Sequence, residues 1–374
     1  MIYLDNNATT PVDPRVRAAM LPFLGENFGN PSSPHAAGRA AREAVETARA
    51  QVAALVGAPA DTIVFTGGGT ESITTAIRGA LAAQPDKRHI VTSSIEHSAT
   101  KNLCEHLGRE GCEVTWLRVD AGGRPDLDEY RAALRADTAL ATFIWANNET
   151  GVVLPVAEMA RMADERRIVC HIDAVQAAGK VSLDLAQVPA HLLSVAAHKF
   201  HGPKGAGALF VRSGLGLPPM LRGGGQEKGR RSGTENVPGI VGMGLAAEIA
   251  AAVWPVEMPR VARMRDEFEA GVGDRFAEAR FHGDKAHRLP NTTNFALPGL
   301  DAQGLLAGLD RLGVACSVGS ACTSGEVHAS HVLRAMGVGD VEARSSLRFS
   351  FSRMNTSGEV PAALAALSQA AGRL

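Results

Sequence analysis

Short runs of apolar and β-branched residues alternate with longer segments of helical periodicity over the first two thirds of the chain. The runs fall at Thr62–Thr66, His89–Thr92, Glu113–Leu117, Leu140–Trp145, Ile168–Asp173, Leu192–Ala196 and Ala208–Val211. Strands that are apolar almost throughout, rather than at every second position, are buried on both faces, so the pattern predicts a mostly parallel, seven-stranded sheet covered by helices. That is a three-layer α/β arrangement. A long helix is predicted over Pro34–Val56, with Ser32 or Ser33 as its cap, Pro34 in its first turn and Gly57 after its end. A loop rich in Gly and Arg follows at Gly214–Asn236, then a helix from Pro238 to about Val253. Beyond this the pattern changes. Strands at Arg288–Leu297 and Ser346–Ser352 and helices at Ala302–Leu312, His328–Met336 and Gly358–Arg373 predict a smaller α+β unit. The expected division is an arm over residues 1–12 that joins the small domain, a large domain over 13–254 and a small C-terminal domain over 255–374.

Composition narrows the function. The 374 residues carry 38 Lys+Arg against 39 Asp+Glu, a net charge of −1, which argues against nucleic acid or an anionic membrane as the main partner. The longest apolar stretch, Pro238–Val256, is interrupted by Glu248 and Pro255 and reads as a buried helix rather than a membrane span. The start, Met1-Ile2-Tyr3-Leu4-Asp5, has neither a basic segment nor an apolar run, so no signal peptide is expected. Five cysteines without a CxxC pair suit reduced thiols in a cytoplasm, not a disulfide framework or a structural zinc site.

In open α/β sheets ligands bind beyond the carboxyl ends of the strands, so the residues there carry the most information. After the first run comes Gly67-Gly68-Gly69-Thr70-Glu71 at a helix start, which can receive a phosphate on free N–H groups or be a tight turn without a ligand. After Ile168–Ile172 comes Asp173, either a helix cap or a partner for a protonated ring nitrogen. After Leu192–Ala196 comes His198-Lys199-Phe200-His201, where Lys199 is either a surface lysine or an amine placed to form an imine with an aldehyde. The HxxH spacing lacks a third metal ligand. Jointly, a phosphate cradle, a carboxylate and a lysine at successive strand ends are the parts that hold pyridoxal 5′-phosphate. In the C-terminal part Cys322 lies in Ser317-Val318-Gly319-Ser320-Ala321-Cys322-Thr323-Ser324-Gly325. This small, polar run would leave its thiol exposed, whereas Cys170 reads as core. In Leu347-Arg348-Phe349-Ser350-Phe351 the apolar side chains share one face, and Arg348 on the other can clamp a carboxylate or sit in a salt bridge.

These residues, with Tyr3-Leu4-Asp5-Asn6-Asn7-Ala8-Thr9-Thr10, Asn27-Phe28-Gly29-Asn30-Pro31-Ser32-Ser33, Ala146-Asn147-Asn148-Glu149-Thr150-Gly151, Arg231-Ser232-Gly233-Thr234-Glu235-Asn236 and Ser345-Ser346-Leu347-Arg348, resemble the cysteine desulfurases. These are pyridoxal-phosphate enzymes of the class V aminotransferase type with the fold-type-I transferase architecture. The Cys322 segment looks like that of the group I enzymes, which serve housekeeping or nitrogen-fixation iron–sulfur supply, and other details lean to the nitrogen-fixation type. The resemblance implies these roles: Lys199 holds the cofactor, Asp173 pairs with its ring nitrogen and Gln176 bonds its ring oxygen. His97 stacks on the ring and moves protons. Gly69, Thr70 and His198 bind phosphate, and Thr234 reaches the phosphate of the partner subunit in a homodimer. Asn148, also counted with the cofactor residues, and Arg348 hold the substrate carboxylate. It further implies conversion of L-cysteine to L-alanine, with the sulfur left on Cys322 as a persulfide, transient metal contact through that persulfide included, for delivery to an iron–sulfur scaffold protein. A selenocysteine lyase or an aminotransferase on the same scaffold is the alternative within enzymes, and a non-catalytic sulfur carrier the alternative outside them. Two departures stand out. Many relatives have a serine where this chain has Ala196, and many carry a longer C-terminal tail.

Overall fold

The computed structural model describes residues 1–318 and 329–372. The chain opens with β1 (Ile2–Tyr3), α1 (Pro14–Met20) and α2 (Ala36–Val56). Strands and helices then alternate: β2 (Ile63–Thr66), α3 (Gly69–Ala82), β3 (His89–Ser93), α4 (Ser98–Arg109), β4 (Glu113–Leu117), α5 (Leu127–Ala133), β5 (Thr138–Ile144), α6 (Val156–Glu165) and β6 (Val169–Asp173). β7 (Leu192–Ala196) and β8 (Gly207–Val211) complete a seven-stranded sheet of order β2-β8-β7-β6-β5-β3-β4, parallel except for β8, which runs antiparallel to both its neighbours. All seven predicted strands are present to within two residues at each end, and five of the six parallel members are buried along their whole length. β4, at the sheet edge, is the exception, with Glu113 exposed.

The helix expected over His328–Met336 spans His331–Ala335 with Ser330 as its cap, and two further helix boundaries differ from expectation. α2 starts at Ala36, two residues later than Pro34, and its cap is His35, whose Nδ1 accepts from the Gly38 N–H at 3.3 Å. Ser32 and Ser33 belong instead to the turn on which the helix start rests. A Cβ at Gly38 would lie 2.4 Å from the Ser33 carbonyl oxygen, so only glycine permits that approach. The second difference is larger. α7 runs from Val237 to Arg275, 39 residues, through Pro255 and Pro259. Both prolines are exposed, on the side of the helix turned away from the core. α7 is long and apolar enough to cross a membrane by those criteria alone, but much of its apolar stretch is buried inside the protein.

The remaining elements are β9 (Arg280–Phe281), β10 (Thr292–Ala296), α8 (Ala302–Arg311), β11 (Val314–Ala315), β12 (Ser317–Val318), α9 (His331–Ala335), α10 (Asp340–Arg344), β13 (Ser346–Ser350) and α11 (Glu359–Ala371). β12-β13-β10-β9 form an antiparallel sheet, and the first residues of the chain join this region: Ile2 and Tyr3 pair with Val314 and Ala315, and Asp5 bridges to Ser350. Phe268 of α7, Phe295 of β10, Phe349 of β13 and Phe351 are all nearly fully buried in one core with the second half of α7, α8 and α11. That packing lays the arm across the top of β7, where the site forms.

Candidate active site

The ends of five strands of the large sheet, β2, β3, β5, β6 and β7, open into one pocket of about 290 Å³, lined among others by Gly69, Thr70, His97, Asn148, Asp173, Gln176, Ala196, His198 and Lys199. Apart from Ala196, these are the cofactor residues expected from the sequence, all but Thr234, and the structure brings them together. A smaller cavity lies behind Lys199 and a separate cleft beside β2; neither contains this set.

The phosphate cradle is built from α3. Its cap position is Gly68, which offers no side chain to the N–H groups of the first turn, and Gly67 N–H is taken instead by Glu71 Oε2 at 2.7 Å. An uncapped helix start beside Thr70 presents backbone donors and the positive end of the helix dipole to an anion. Gly207 on β8 lies so close that a Cβ there would sit 2.6 Å from Gly68 Cα, which fixes the turn against the sheet.

Asp173 closes β6. Its Oδ1 accepts from the Val175 N–H at 3.0 Å, an Asx-type cap, and the described residues give its second oxygen no hydrogen bond. Burial raises its pKa to about 6, opposed by that backbone bond and by Lys199. The carboxylate is short of partners, and a cationic ring nitrogen would restore what burial removed. Lys199 follows β7 and donates to the main-chain carbonyls of Asn7 at 2.5 Å and Ala8 at 2.9 Å. Its pKa is lowered to about 8, first by desolvation and then by Arg348, with Asp173 and Asp5 pulling the other way. An appreciable fraction of the amine is then unprotonated near neutrality, as imine formation requires.

His97 caps α4, its Nδ1 accepting from the Ala99 N–H at 3.1 Å, which leaves the proton on Nε2. Desolvation, then the positive charges of Lys199 and His331, lower its pKa to about 4, so the ring is neutral. His198 is likewise lowered to about 4, by desolvation and the lysines around it. Ala196 lines the pocket with a methyl group, so no side-chain hydroxyl is available at that point of the wall.

Arg348 stands outside the pocket lining. It is buried and bound on two sides, by the Asn148 carbonyl at 3.0 Å and by Asp5 Oδ1 at 2.7 Å, while among the described residues its Nε has no partner. Sequence reasoning set a clamp against a surface salt bridge; the structure gives a buried ion pair with one donor still free. Thr234 lines the separate cleft of about 170 Å³, which also includes Arg231. Cys322 lies outside the described residues. The chain leaves the described region at Val318, whose neighbour Ser317 is in register with Arg348. Cys170 is fully buried, its thiol pushed up to about 12. Among the described residues no group of three or more His, Cys, Asp or Glu is placed to hold a metal ion.

Sequence reasoning missed several buried polar residues around the pocket. Glu96 is fully buried, its Oε1 accepting from Ser93 Oγ at 2.5 Å and the Ile144 N–H at 3.0 Å while Oε2 has no partner among the described residues, and burial raises its pKa to about 8. Glu149 holds Ser330. Lys180 lies beneath the arm, hydrogen-bonded to Gln176 and Asn7. The only available signal was that Glu96 and Glu149 each stand beside a residue already singled out; Lys180 has no such neighbour.

The observed donors fit pyridoxal phosphate. An uncapped glycine cradle, a buried carboxylate with an open oxygen and a partly neutral lysine face one space, and each lacks the partner that group provides. The aminotransferase class-V family matches residues 2–362. The chain is 46% identical to a cysteine desulfurase of Trichormus azollae over 374 residues, all of this chain and 94% of the relative. It is 48% identical to the cysteine desulfurase NifS of Azotobacter vinelandii over 360 residues, 96% of this chain and 90% of the relative. Among solved structures, a NifS-like protein superposes with a TM-score of 0.94 at 35% identity, covering the whole of both chains. SspA in complex with cysteine superposes with a TM-score of 0.84 at 34% identity, covering 95% of this chain and all of the other.

Proposed function

The chain belongs to the aminotransferase class-V family and is a pyridoxal-phosphate-dependent cysteine desulfurase, and on that premise we propose how its own residues divide the work. The substrate is L-cysteine. When bound, pyridoxal phosphate supplies an aldehyde that captures amines and a protonated ring that draws electrons from the substrate carbon skeleton.

Lys199 would hold the cofactor through its amine and would move the proton of the substrate Cα. Its lowered basicity suits both tasks. Asp173 keeps the ring nitrogen protonated, and Gln176 donates to the ring oxygen. Gly69 and Thr70, with His198, take the phosphate, and neutral His97 covers the ring. Asn148 and Arg348 hold the substrate carboxylate. Arg348 does so while still paired with Asp5, with its unpartnered Nε as the free donor.

The sulfur acceptor is Cys322. Its thiolate bonds the substrate sulfur as the carbon–sulfur bond breaks, with that bond's electron pair passing to carbon, so that L-alanine leaves and a persulfide remains. The same cysteine then passes sulfur to an iron–sulfur scaffold protein, with nitrogen fixation the favoured setting, and the persulfide is the point of any transient metal contact. Two copies of the chain form the working enzyme, each lending Thr234 to the phosphate of the other. The division into an arm, a large domain to residue 254 and a small domain beyond it, and a cytoplasmic location, complete the reading.

The observation that carries the proposal is the convergence of Lys199, Asp173 and the uncapped start of α3 on one pocket. The test is Cys322→Ala in the cofactor-loaded enzyme. It should keep the visible absorbance of bound cofactor and lose persulfide and catalytic alanine formation. Full turnover by this variant refutes the acceptor assignment. Keto-acid-dependent amino transfer by it would favour an aminotransferase.

A further inference from the structure

Lys180 is buried, 7% exposed, in the turn after β6, and among the described residues it has no carboxylate partner. Burying an ammonium without a counter-ion is costly, and the nearby charges are Lys199 and Arg348, both positive. Desolvation and these two cations hold its pKa well below the ordinary lysine value. Such a residue is expensive to keep as filler.

Its contacts are specific. Lys180 Nζ donates to Gln176 Oε1 at 2.6 Å and to Asn7 Oδ1 at 3.3 Å. Gln176 Nε2 donates to the Asn7 main-chain carbonyl at 2.8 Å, the same oxygen that receives Lys199 Nζ at 2.5 Å. The Asn7 side chain is fixed further by Asn291, which donates to its Oδ1 at 3.1 Å, and by Thr292, whose Oγ1 accepts from its Nδ2 at 2.9 Å. A side-chain amide can be turned over at little cost unless its neighbours differ in kind. Here a donor sits on one end of the Gln176 amide and an acceptor on the other. A reversed amide would face its N–H2 to an amine and its oxygen to a carbonyl. One N–H of the correctly placed amide is left free, and Gln176 lines the pocket.

We propose that Lys180 is a positioning residue, which by donating to Gln176 and Asn7 sets the Gln176 amide as a donor toward the cofactor and steadies the carbonyl that receives Lys199. The inference rests on the reading that Gln176 serves the cofactor ring oxygen.

The experiment compares Lys180→Met, Gln176→Ala and the double variant, each loaded with pyridoxal phosphate. Folding is checked by circular dichroism and thermal melting. The readouts are the position of the visible absorbance band and the cofactor dissociation constant from equilibrium dialysis. Gln176→Ala should shift the band and raise the dissociation constant about five- to tenfold, the effect of one hydrogen bond. Lys180→Met should shift the band in the same direction and raise the constant by most of that factor. The double variant should be no worse than the poorer single one, because one residue acts through the other. Should Lys180→Met fail to fold, Lys180→Gln keeps one donor and should give a smaller shift of the same sign. A wild-type band and dissociation constant in the folded Lys180 variant, or full additivity in the double, overturns the inference alone. A silent Gln176→Ala overturns the ring-oxygen reading and the inference with it.

Discussion

The two principal sheets are stabilised in different ways. The large sheet is buried on both faces yet threaded by polar side chains. Thr92 Oγ1 donates to the Thr142 carbonyl at 2.9 Å, Thr142 shares a hydrogen bond with His171 Nδ1 at 2.8 Å, and His171 Nε2 shares another with Ser194 at 2.8 Å. This chain crosses β3, β5, β6 and β7, and two of those strands end in Asp173 and the turn to Lys199. The C-terminal sheet is held by aromatic packing, with the Phe268 ring 4.7 Å from that of Phe349 and Phe295 stacked on Phe349 at 5.7 Å. Directional bonds fix strand register, and hence where a strand-end group points. Apolar packing fixes volume, and sets the place of Arg348 by burying the opposite face of β13.

The comparison can be broken most severely at the strand end itself. Lys199→Ala should abolish the visible absorbance of bound cofactor and lower alanine formation from L-cysteine by at least about 10³-fold, since both tether and proton carrier are removed. The aromatic core comes next. Phe268→Ala should cost about 3–5 kcal/mol in denaturant unfolding while the affinity of the pocket for cofactor changes little, because the core that holds Phe268 shares no residue with the pocket lining. A large loss of cofactor affinity in the folded variant would mean the two regions are not separately built.

His171→Ala should be milder, about 2–3 kcal/mol, as it leaves Thr142 and Ser194 each without a buried partner. It carries a pH signature as well. Burial lowers the His171 pKa from 6.5 to about 3, so between those values the unfolded chain binds the extra proton and the folded one does not. Stability therefore falls as pH drops below about 6.5, and the variant should lose part of that slope. The smallest effect expected is kinetic. Capture of added pyridoxal phosphate by the cofactor-free protein should speed up between pH 7 and 9 with a midpoint near 8, where Lys199 titrates, rather than near 10.5, read by stopped-flow absorbance.

Much of this was legible in the chain because buried parallel strands are written as unbroken β-branched runs, and strand ends mark where chemistry sits. Asp173 and Lys199 were found by position alone. The long helix α7 was not. Pro255 interrupts the apolar stretch in the sequence, yet the helix continues through it and through Pro259, both of them exposed, which is a tertiary fact. The cap of α2 was misplaced for a related reason: several residues before Ala36 can cap, and packing of Gly38 against the Asn30–Ser33 turn selects His35. Arg348 was assigned to the correct face of its strand, but its partner Asp5, more than 340 positions away, has no local signature. Glu96 and Lys180 gave no sign of burial, because ionisable side chains are mostly exposed.

The central claim is that sulfur leaves the substrate in the Lys199 pocket and arrives on Cys322. It is tested most directly by incubating the cofactor-loaded enzyme with one equivalent of L-cysteine, without reductant, and weighing its proteolytic peptides. The account predicts one added sulfur atom on the peptide containing Cys322, matched by an equal amount of L-alanine and absent from both Lys199→Ala and Cys322→Ala. Alanine formed with no sulfur on that peptide, or sulfur carried there by the Lys199→Ala protein, would contradict it.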